Sequence, residues 1–126
     1  MSGKLSLQTD FENEQDFKIW CMGFVRNNKS DVVFEIENEE KEPGFPDLLK
    51  VDFTGRAFFF EIKVARKGGR FKFESTQPRF YKNHPMLNIM VIVWDAETHT
   101  AYFIPALEAA DKVLEKSSLT LNVREF

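Results

Sequence analysis

The chain has 126 residues and a formal net charge of -3, and 43% of its residues are hydrophobic, which suits one domain spanning residues 1–126 and argues against disorder. Cys21 is the only cysteine and there are two histidines, so we expect no disulfide and no thiolate or histidine-rich metal site; a bound metal would take oxygen ligands, as Mg²⁺ or Mn²⁺ does. No apolar run approaches the ~20 residues of a membrane span and we expect no signal peptide, which predicts a soluble, cytoplasmic protein without a membrane partner.

One helix is predicted in the N-terminal part. Met1–Thr9 carries little pattern and is interpreted as a short strand or a loose arm. Thr9 or Asp10 can cap a helix that runs from about Phe11 to Asn27. Its apolar side chains recur at spacings of three and four, which predicts a single buried stripe. This stripe consists of Phe17, Cys21, Phe24 and Val25, with Trp20 beside it and Glu14 at its N-terminal end.

A strand is predicted next, at Asp31–Glu37, where apolar and polar residues alternate. It should run antiparallel to the strand that follows Asp47. Glu35 on this strand either belongs to a solvent face or reaches a site on the neighbouring strand. Residues 38–45 are polar and contain a Pro-Gly pair, which predicts a loop.

The next segment is predicted to form a β-hairpin that carries the candidate functional residues. Leu48–Phe53 and Arg56–Val64 are rich in aliphatic and aromatic residues, and Thr54-Gly55 between them is a turn signal. Asp47 lies at the open end of the first of these strands.

Side chains alternate along the second strand of the hairpin, so that Phe59, Glu61 and Lys63 share one face. The other face, predicted to contact the core, consists of Phe58, Phe60, Ile62 and Val64. Two carboxylates, of Asp47 and Glu61, and the ammonium of Lys63 therefore converge at one sheet edge. This arrangement is costly unless a divalent cation or a phosphate lies among these groups.

The order of the elements predicts an α/β fold in which helices flank a mixed central β-sheet on both faces. Asn88–Trp94 is a continuous apolar run, which is typical of a central strand covered on both sides. The other elements after the hairpin are a short strand at Phe71–Phe73, a helix from Ser75 or Thr76 to Asn83, a strand at Thr100–Ile104, a helix at Pro105–Lys116 with a stripe of Leu107, Ala110, Val113 and Leu114, and a last strand within Ser117–Phe126.

Charge is unevenly distributed along the chain. Residues 10–47 include eleven acids and four bases, whereas residues 63–84 include seven bases and one acid. A local excess of positive charge directly after the hairpin favours a patch that contacts phosphates. The alternative is a solvated, flexible loop, because Gly68 and Gly69 interrupt the segment. The predicted DNA-binding residues are Arg66, Lys67, Arg70, Lys72, Arg79 and Lys82.

The residues of the hairpin resemble a known nuclease motif. Pro46-Asp47, thirteen intervening residues and then Glu61-Ile62-Lys63 are similar to the PD-(D/E)XK motif. Gln77 resembles the downstream glutamine of the branch that contains Holliday-junction resolvases and related small repair nucleases. The resemblance covers roughly Phe11 to Val113. It implies a restriction-endonuclease-like core and a metal-dependent DNA endonuclease of the junction-resolving type, which works as a homodimer because a four-way junction needs paired cuts.

The resemblance also implies a role for each residue of the site. Asp47 and Glu61 would hold Mg²⁺ together with the main-chain carbonyl of Ile62. Lys63 would orient the attacking water or contact the phosphate, and Gln77 would support it. Glu14 is an additional candidate for the catalytic and metal-binding set, because the first helix of this family usually offers an acid. Considered alone, an acid at the start of a helix more often compensates the helix dipole.

Two other interpretations stay open. The chain could be a small restriction-like or viral nuclease of the same fold with another substrate. It could also be a catalytically silent module in which the basic segment holds DNA and the acids support the structure. Asp47 would then be a turn residue, and Glu61 and Lys63 a surface pair that contributes little to stability. Metal-dependent cleavage separates a nuclease from such a module.

Overall fold

The computed structural model describes residues 2–36 and 42–126 and has a six-stranded sheet at its centre. Its strands follow the order β1-β7-β6-β4-β3-β2, in which β4 and β6 are parallel and the other neighbours are antiparallel. The elements are β1 (Gly3–Ser6), α1 (Glu14–Phe24), β2 (Val32–Glu35), β3 (Leu48–Val51), β4 (Ala57–Val64), β5 (Arg70–Lys72), α2 (Thr76–Asn83), β6 (Ile89–Asp95), β7 (Thr100–Pro105), α3 (Ala106–Lys116) and β8 (Thr120–Asn122). The predicted mixed sheet with flanking helices is confirmed. Within the described residues, no helix is long and apolar enough to cross a membrane.

Two apolar layers lie on opposite faces of this sheet. Residues of α1 pack on one face, where Phe17 and Cys21 are buried in a cluster with Ile62 of β4. Residues of α2 and α3 pack on the other face, where Phe80 and Ala109 belong to a second cluster. Because β6 has helices on both sides, its apolar run is buried on both faces, as expected for a central strand. In β4 only Glu61 and Ile62 are buried to this degree.

The first helix is shorter than predicted and begins later. Asn13, not Thr9 or Asp10, is its N-cap, and the side chain of Asn13 accepts a hydrogen bond of 2.9 Å from the main-chain N–H of Asp16. An asparagine side chain satisfies the first-turn N–H groups of a helix, which fixes where the helix starts. The helix ends at Phe24, which is 44% exposed, so Phe24 does not belong to the buried stripe.

The predicted hairpin is confirmed. β3 and β4 pair in antiparallel register, and Gly55 in the turn between them has a φ of 86°, which favours glycine. β2 pairs with β3 in antiparallel orientation, as predicted. Glu35 at the end of β2 is exposed and forms an ion pair of 3.4 Å with Lys18 of α1, so it belongs to the solvent face. Residues 37–41, which include the predicted end of this strand and part of the following loop, lie outside the described residues.

The third helix differs from the prediction in which residues it buries, whereas the predicted last strand within Ser117–Phe126 is present as β8. The buried residues of α3 are Ala106, Ala109 and Ala110, whereas Leu107 and Leu114 are 36% and 68% exposed. Small side chains on the buried side let this helix approach its neighbours closely. The prediction, which followed the larger apolar residues, did not anticipate this close approach. β8 pairs with β5 in a separate two-stranded sheet and is not part of the central one.

Candidate active site

Asp47 is fixed at the point where β3 begins. Its main-chain N–H donates to Phe60 O at 3.0 Å, and its carbonyl accepts a hydrogen bond of 2.8 Å from Ile36 N. One carboxylate oxygen, Oδ2, accepts a hydrogen bond of 3.0 Å from the main-chain N–H of Ile62. The side chain thereby continues the β3–β4 ladder beyond the last strand pair, which holds the carboxylate against the edge of β4.

Glu61 is a buried acid in the middle of a central strand. Only 4% of its surface is exposed, and its Oε2 atom lies 4.0 Å from the Nζ atom of Lys63. This distance is too long for a hydrogen bond, but the two charges attract each other strongly where water is scarce. The interpretation of Glu61 and Lys63 as a surface pair is therefore wrong.

Lys63 is hydrogen-bonded to Gln77. Lys63 Nζ donates a hydrogen bond of 2.8 Å to Gln77 Oε1, and the ammonium lies 5.2 Å from the centre of the Phe73 ring. The main-chain N–H of Glu74 donates to the same Gln77 oxygen at 2.9 Å. Two donors fix the orientation of the Gln77 amide, since only its oxygen can accept from both. Gln77 thus links β4 to the start of α2.

Tyr81 is a site residue that the sequence reasoning missed. It lies on α2, one turn after Gln77, and is only 1% exposed. Its hydroxyl is buried and forms no hydrogen bond within the part of the chain that the structure describes. Burial raises the pKa of Tyr81 well above its usual value, and the negative charges of Glu61 and Asp47 raise this pKa further. Helical spacing of four from Gln77 was the signal that could have identified it.

The donors at this edge suit an oxygen-preferring divalent cation. Asp47 is hydrogen-bonded to the residue that follows Glu61 in β4, and the charges of both carboxylates raise the pKa of Tyr81. Ile62 donates its N–H toward Asp47, and within a strand the carbonyl of a residue lies on the same edge as its N–H. Two carboxylates and a carbonyl are ligands that Mg²⁺ takes, together with water. No cluster of three or more His, Cys, Asp or Glu side chains that could hold a metal occurs within residues 2–36 and 42–126.

Glu14 lies on a groove beside this site and not within it. It is the first residue of α1, is exposed, and lines a groove of about 980 Å³ together with Lys63. Because the described residues contain no three-acid cluster, Glu14 does not join Asp47 and Glu61 in one metal-binding group. Its catalytic and metal-binding roles stay predictions.

Four of the six predicted DNA-binding residues line the same groove. They are Arg66, Lys67, Arg70 and Lys72. Arg79 and Lys82 lie on α2 and are not part of the groove lining, and Lys82 forms an ion pair with Asp111 of α3. The basic residues between Lys63 of β4 and Lys72 of β5 therefore line one groove, whereas the two residues on the helix do not.

The basic segment is structured and is not a flexible loop. We call Arg66–Arg70 the basic loop. Its ends are joined by a hydrogen bond of 2.6 Å from Arg66 N to Arg70 O, and Gly69 N donates to Arg66 O at 2.9 Å. Gly68 and Gly69 both have positive φ values, 78° and 80°, which glycine adopts without strain. The two glycines thus allow a tight turn where the sequence suggested mobility.

Nucleophilic catalysis by cysteine has no support at this site. Cys21 is fully buried in the α1 layer, and burial raises its pKa to about 12. A thiol with such a pKa is protonated at neutral pH and therefore unreactive.

Comparisons with known proteins do not identify a family for this chain. No family model matches the sequence, and searches of curated proteins and of solved structures gave no match either.

Proposed function

We propose that this protein is a metal-dependent DNA endonuclease with a restriction-endonuclease-like core. The observation that carries the proposal is the convergence of a buried acid, Glu61, with a lysine whose ammonium is held by a glutamine. Asp47 is fixed to the same strand through Ile62. A buried acid beside a partly buried ammonium is costly to maintain for structure alone, since apolar residues of similar size stabilise a core at least as well.

Asp47, Glu61 and the Ile62 carbonyl would hold Mg²⁺, with Mn²⁺ as a substitute. A bound divalent cation supplies a more acidic water and neutralises charge on the phosphate. Burial, and then the charges of Glu61 and Asp47, raise the pKa of Tyr81 further above neutral, so its hydroxyl is protonated and can donate a hydrogen bond.

Lys63 would orient the attacking water or contact the scissile phosphate. Its ammonium has three N–H donors, of which Gln77 engages one. Because Gln77 also accepts from the main chain at the start of α2, the lysine is restrained before substrate binds. Restraint of this kind lowers the entropic cost of reaching the productive geometry.

A structure-specific substrate, such as a four-way junction, is the preferred form of this proposal. The support for this subclass is the sequence resemblance, with Gln77 beside the lysine. Paired cuts in a junction would be made by a homodimer. A linear-duplex nuclease of restriction-like or viral type is the alternative within the same chemistry.

Cleavage assays test the proposal directly. Linear duplex, single-stranded, flapped and four-way-junction DNA are incubated with wild type, with and without Mg²⁺. We expect Mg²⁺-dependent cleavage that falls by about a hundredfold or more in Lys63→Ala, as is usual when a group that stabilises the transition state is removed. Preferential cleavage of the junction supports the resolvase subclass, and cleavage without such preference contradicts that subclass alone.

Two variants separate a nuclease from a silent binding module. Asp47→Ala should abolish cleavage while DNA binding persists, because it leaves the basic residues that line the groove unchanged. Lys82→Ala is the matched control for Lys63→Ala, since it removes one ammonium from α2 outside the groove lining and should leave cleavage unchanged. A folded wild type that binds DNA but cleaves none of the four substrates would contradict the nuclease proposal.

A further inference from the structure

The basic loop is held from outside by one arginine of the C-terminal segment. The guanidinium of Arg124 donates to both oxygens of Asp95, from Nε to Oδ2 at 2.7 Å and from Nη2 to Oδ1 at 3.2 Å. Nη2 also donates to Glu97 Oε1 at 2.8 Å. Asp95 is 1% exposed, so the fork of Arg124 is anchored on a rigid, buried carboxylate at the end of a central strand.

Glu97 completes a connection between this arginine and the basic loop. Its Oε1 atom accepts a second hydrogen bond, of 2.9 Å, from the main-chain N–H of Gly68. Gly69 packs directly against Arg124, because a Cβ atom at Gly69 would lie 2.9 Å from Arg124 Nε. The loop is thus fixed both by a hydrogen bond and by close packing.

The sign of the charges makes this arrangement informative. Asp95 and Glu97 place two negative charges next to a loop whose side chains are cationic, and Arg124 offsets only one of them. Nearby acids weaken the attraction of a surface for phosphate. An acid retained beside Gly68 is therefore costly for nucleic-acid binding unless it improves the geometry of the loop.

We propose that Glu97 and Arg124 are positioning residues that hold the basic loop in the shape that contacts the backbone phosphates of DNA. This inference rests on the proposed function, because it takes the groove to be the DNA-binding surface. A loop that is ordered before binding avoids the entropic cost of being ordered by the ligand. The two residues act through Arg66, Lys67 and Arg70 and do not themselves contact the phosphates.

The test is whether Glu97→Ala changes DNA affinity in the direction opposite to the one that charge alone predicts. Binding of a fluorescein-labelled duplex and a labelled four-way junction is measured in EDTA, where metal-dependent cleavage is absent. Glu97→Ala removes a negative charge, so charge alone predicts tighter binding. Positioning predicts binding that is weaker by about threefold to tenfold, the usual effect of having to order a loop on binding. Glu97→Gln retains the acceptor oxygen and should bind at least as tightly as wild type.

Matched variants distinguish the two effects. Glu74→Ala removes an acid that lines the same groove, and it should tighten binding slightly, by about twofold, as charge predicts. Arg124→Lys keeps the positive charge but loses the planar fork, so it should weaken binding although the net charge is unchanged. Hydrogen exchange of the Gly68 amide provides a readout without DNA: protection should fall in Glu97→Ala and persist in Glu97→Gln.

Each outcome bears on the inference. Weaker binding by folded Glu97→Ala and Arg124→Lys, with retention in Glu97→Gln, supports it. Equal or tighter binding by folded Glu97→Ala overturns it and leaves the nuclease proposal intact. Absence of DNA binding by wild type overturns both, and any change in Gly68 protection would then describe only the stability of the loop.

Discussion

The hydroxyl group of Tyr81 lowers the stability of the folded protein at this site. A hydroxyl that is buried without a hydrogen bond costs free energy, because it has left water and gained no partner. The Tyr81 hydroxyl is in this position within the described residues, and it lies in the field of two carboxylates. Such a group persists more readily where it has a partner in the bound state, for example a phosphate oxygen or a water.

We therefore expect Tyr81→Phe to increase stability and decrease cleavage. Removing the hydroxyl should raise the free energy of unfolding by about 1–3 kcal/mol, the penalty of a buried unsatisfied polar group. It should lower kcat/KM, because the hydroxyl can no longer donate to the substrate. Thermal unfolding and cleavage rates of the same preparation measure both effects.

Tyr102→Phe is the control for this substitution, because Tyr102 is the other tyrosine of the chain and lies on β7. Tyr102→Phe should not raise the free energy of unfolding and should not lower kcat/KM. A Tyr81→Phe protein that is less stable than wild type would show that the hydroxyl has a structural partner. Unchanged cleavage would remove Tyr81 from the site.

At the scale of elements, the site depends on a close contact between the loop before β3 and the start of α2. Gly44 has a φ of 90°, and a Cβ atom there would lie 2.3 Å from the carbonyl oxygen of Thr76 and 2.9 Å from Phe80 Cβ. This loop leads directly to Asp47, whereas α2 carries Gln77. The glycine thus sets the separation between the two halves of the candidate site.

Gly44→Ala should consequently lower both stability and cleavage. We expect a loss of about 2–4 kcal/mol in the free energy of unfolding, because the methyl group overlaps with main-chain atoms and the backbone conformation is strained. Gly55→Ala is matched in backbone conformation, with a φ of 86°, but nothing lies within 4 Å of its Cβ position. It should cost only the strain, about 1–2 kcal/mol, and should leave cleavage unaffected. Equal effects of the two substitutions on cleavage would contradict the proposed coupling between the loop and α2.

Local patterns predicted the elements, but contacts between distant segments were not accessible from sequence. The hairpin around Gly55 follows from its turn residues, which act over a few positions. The helix that begins at Thr76 was predicted with Ser75 or Thr76 as its cap, but its N-cap Ser75 forms no side-chain hydrogen bond to the helix. The pairing of β5 with β8 joins segments about 50 residues apart, and no periodicity reveals it. For the same reason the connection of Arg124 with Gly68 could not be predicted. A flexible loop therefore stayed open as the alternative to a phosphate-contacting patch, although the basic loop is structured.

The candidate site shows the same division. Glu61 and Lys63 were placed on one face because strand alternation is a local rule. The burial of Glu61 depends on contacts between segments distant in sequence, so sequence alone left the interpretation as a surface pair open. Glu14 was assigned to the buried stripe from helical spacing, but it is exposed because Asn13 starts the helix directly before it.

At the scale of the whole molecule, the net charge of -3 conceals a groove in which basic residues outnumber acids. Five basic residues of β4, the basic loop and β5 line it together with Glu12, Glu14 and Glu74. A phosphate backbone would follow the basic residues and avoid the acids. Binding should therefore depend strongly on salt although the protein as a whole is acidic.

The salt dependence of DNA binding measures how many of these charges are used. Five basic residues line the groove: Lys63, Arg66, Lys67, Arg70 and Lys72. Since each neutralised phosphate of duplex DNA contributes about -0.9 to the slope of log K against log salt concentration, the slope should not be steeper than about -4.5. Replacing Arg66, Lys67 and Arg70 by alanine should make it shallower by up to about 2.7. The triple substitution Lys4/Arg26/Lys29→Ala changes the net charge equally, at exposed positions outside the groove lining, and should leave the slope nearly unchanged. An equal loss of slope in both triple variants would show that overall charge, and not the groove, governs binding.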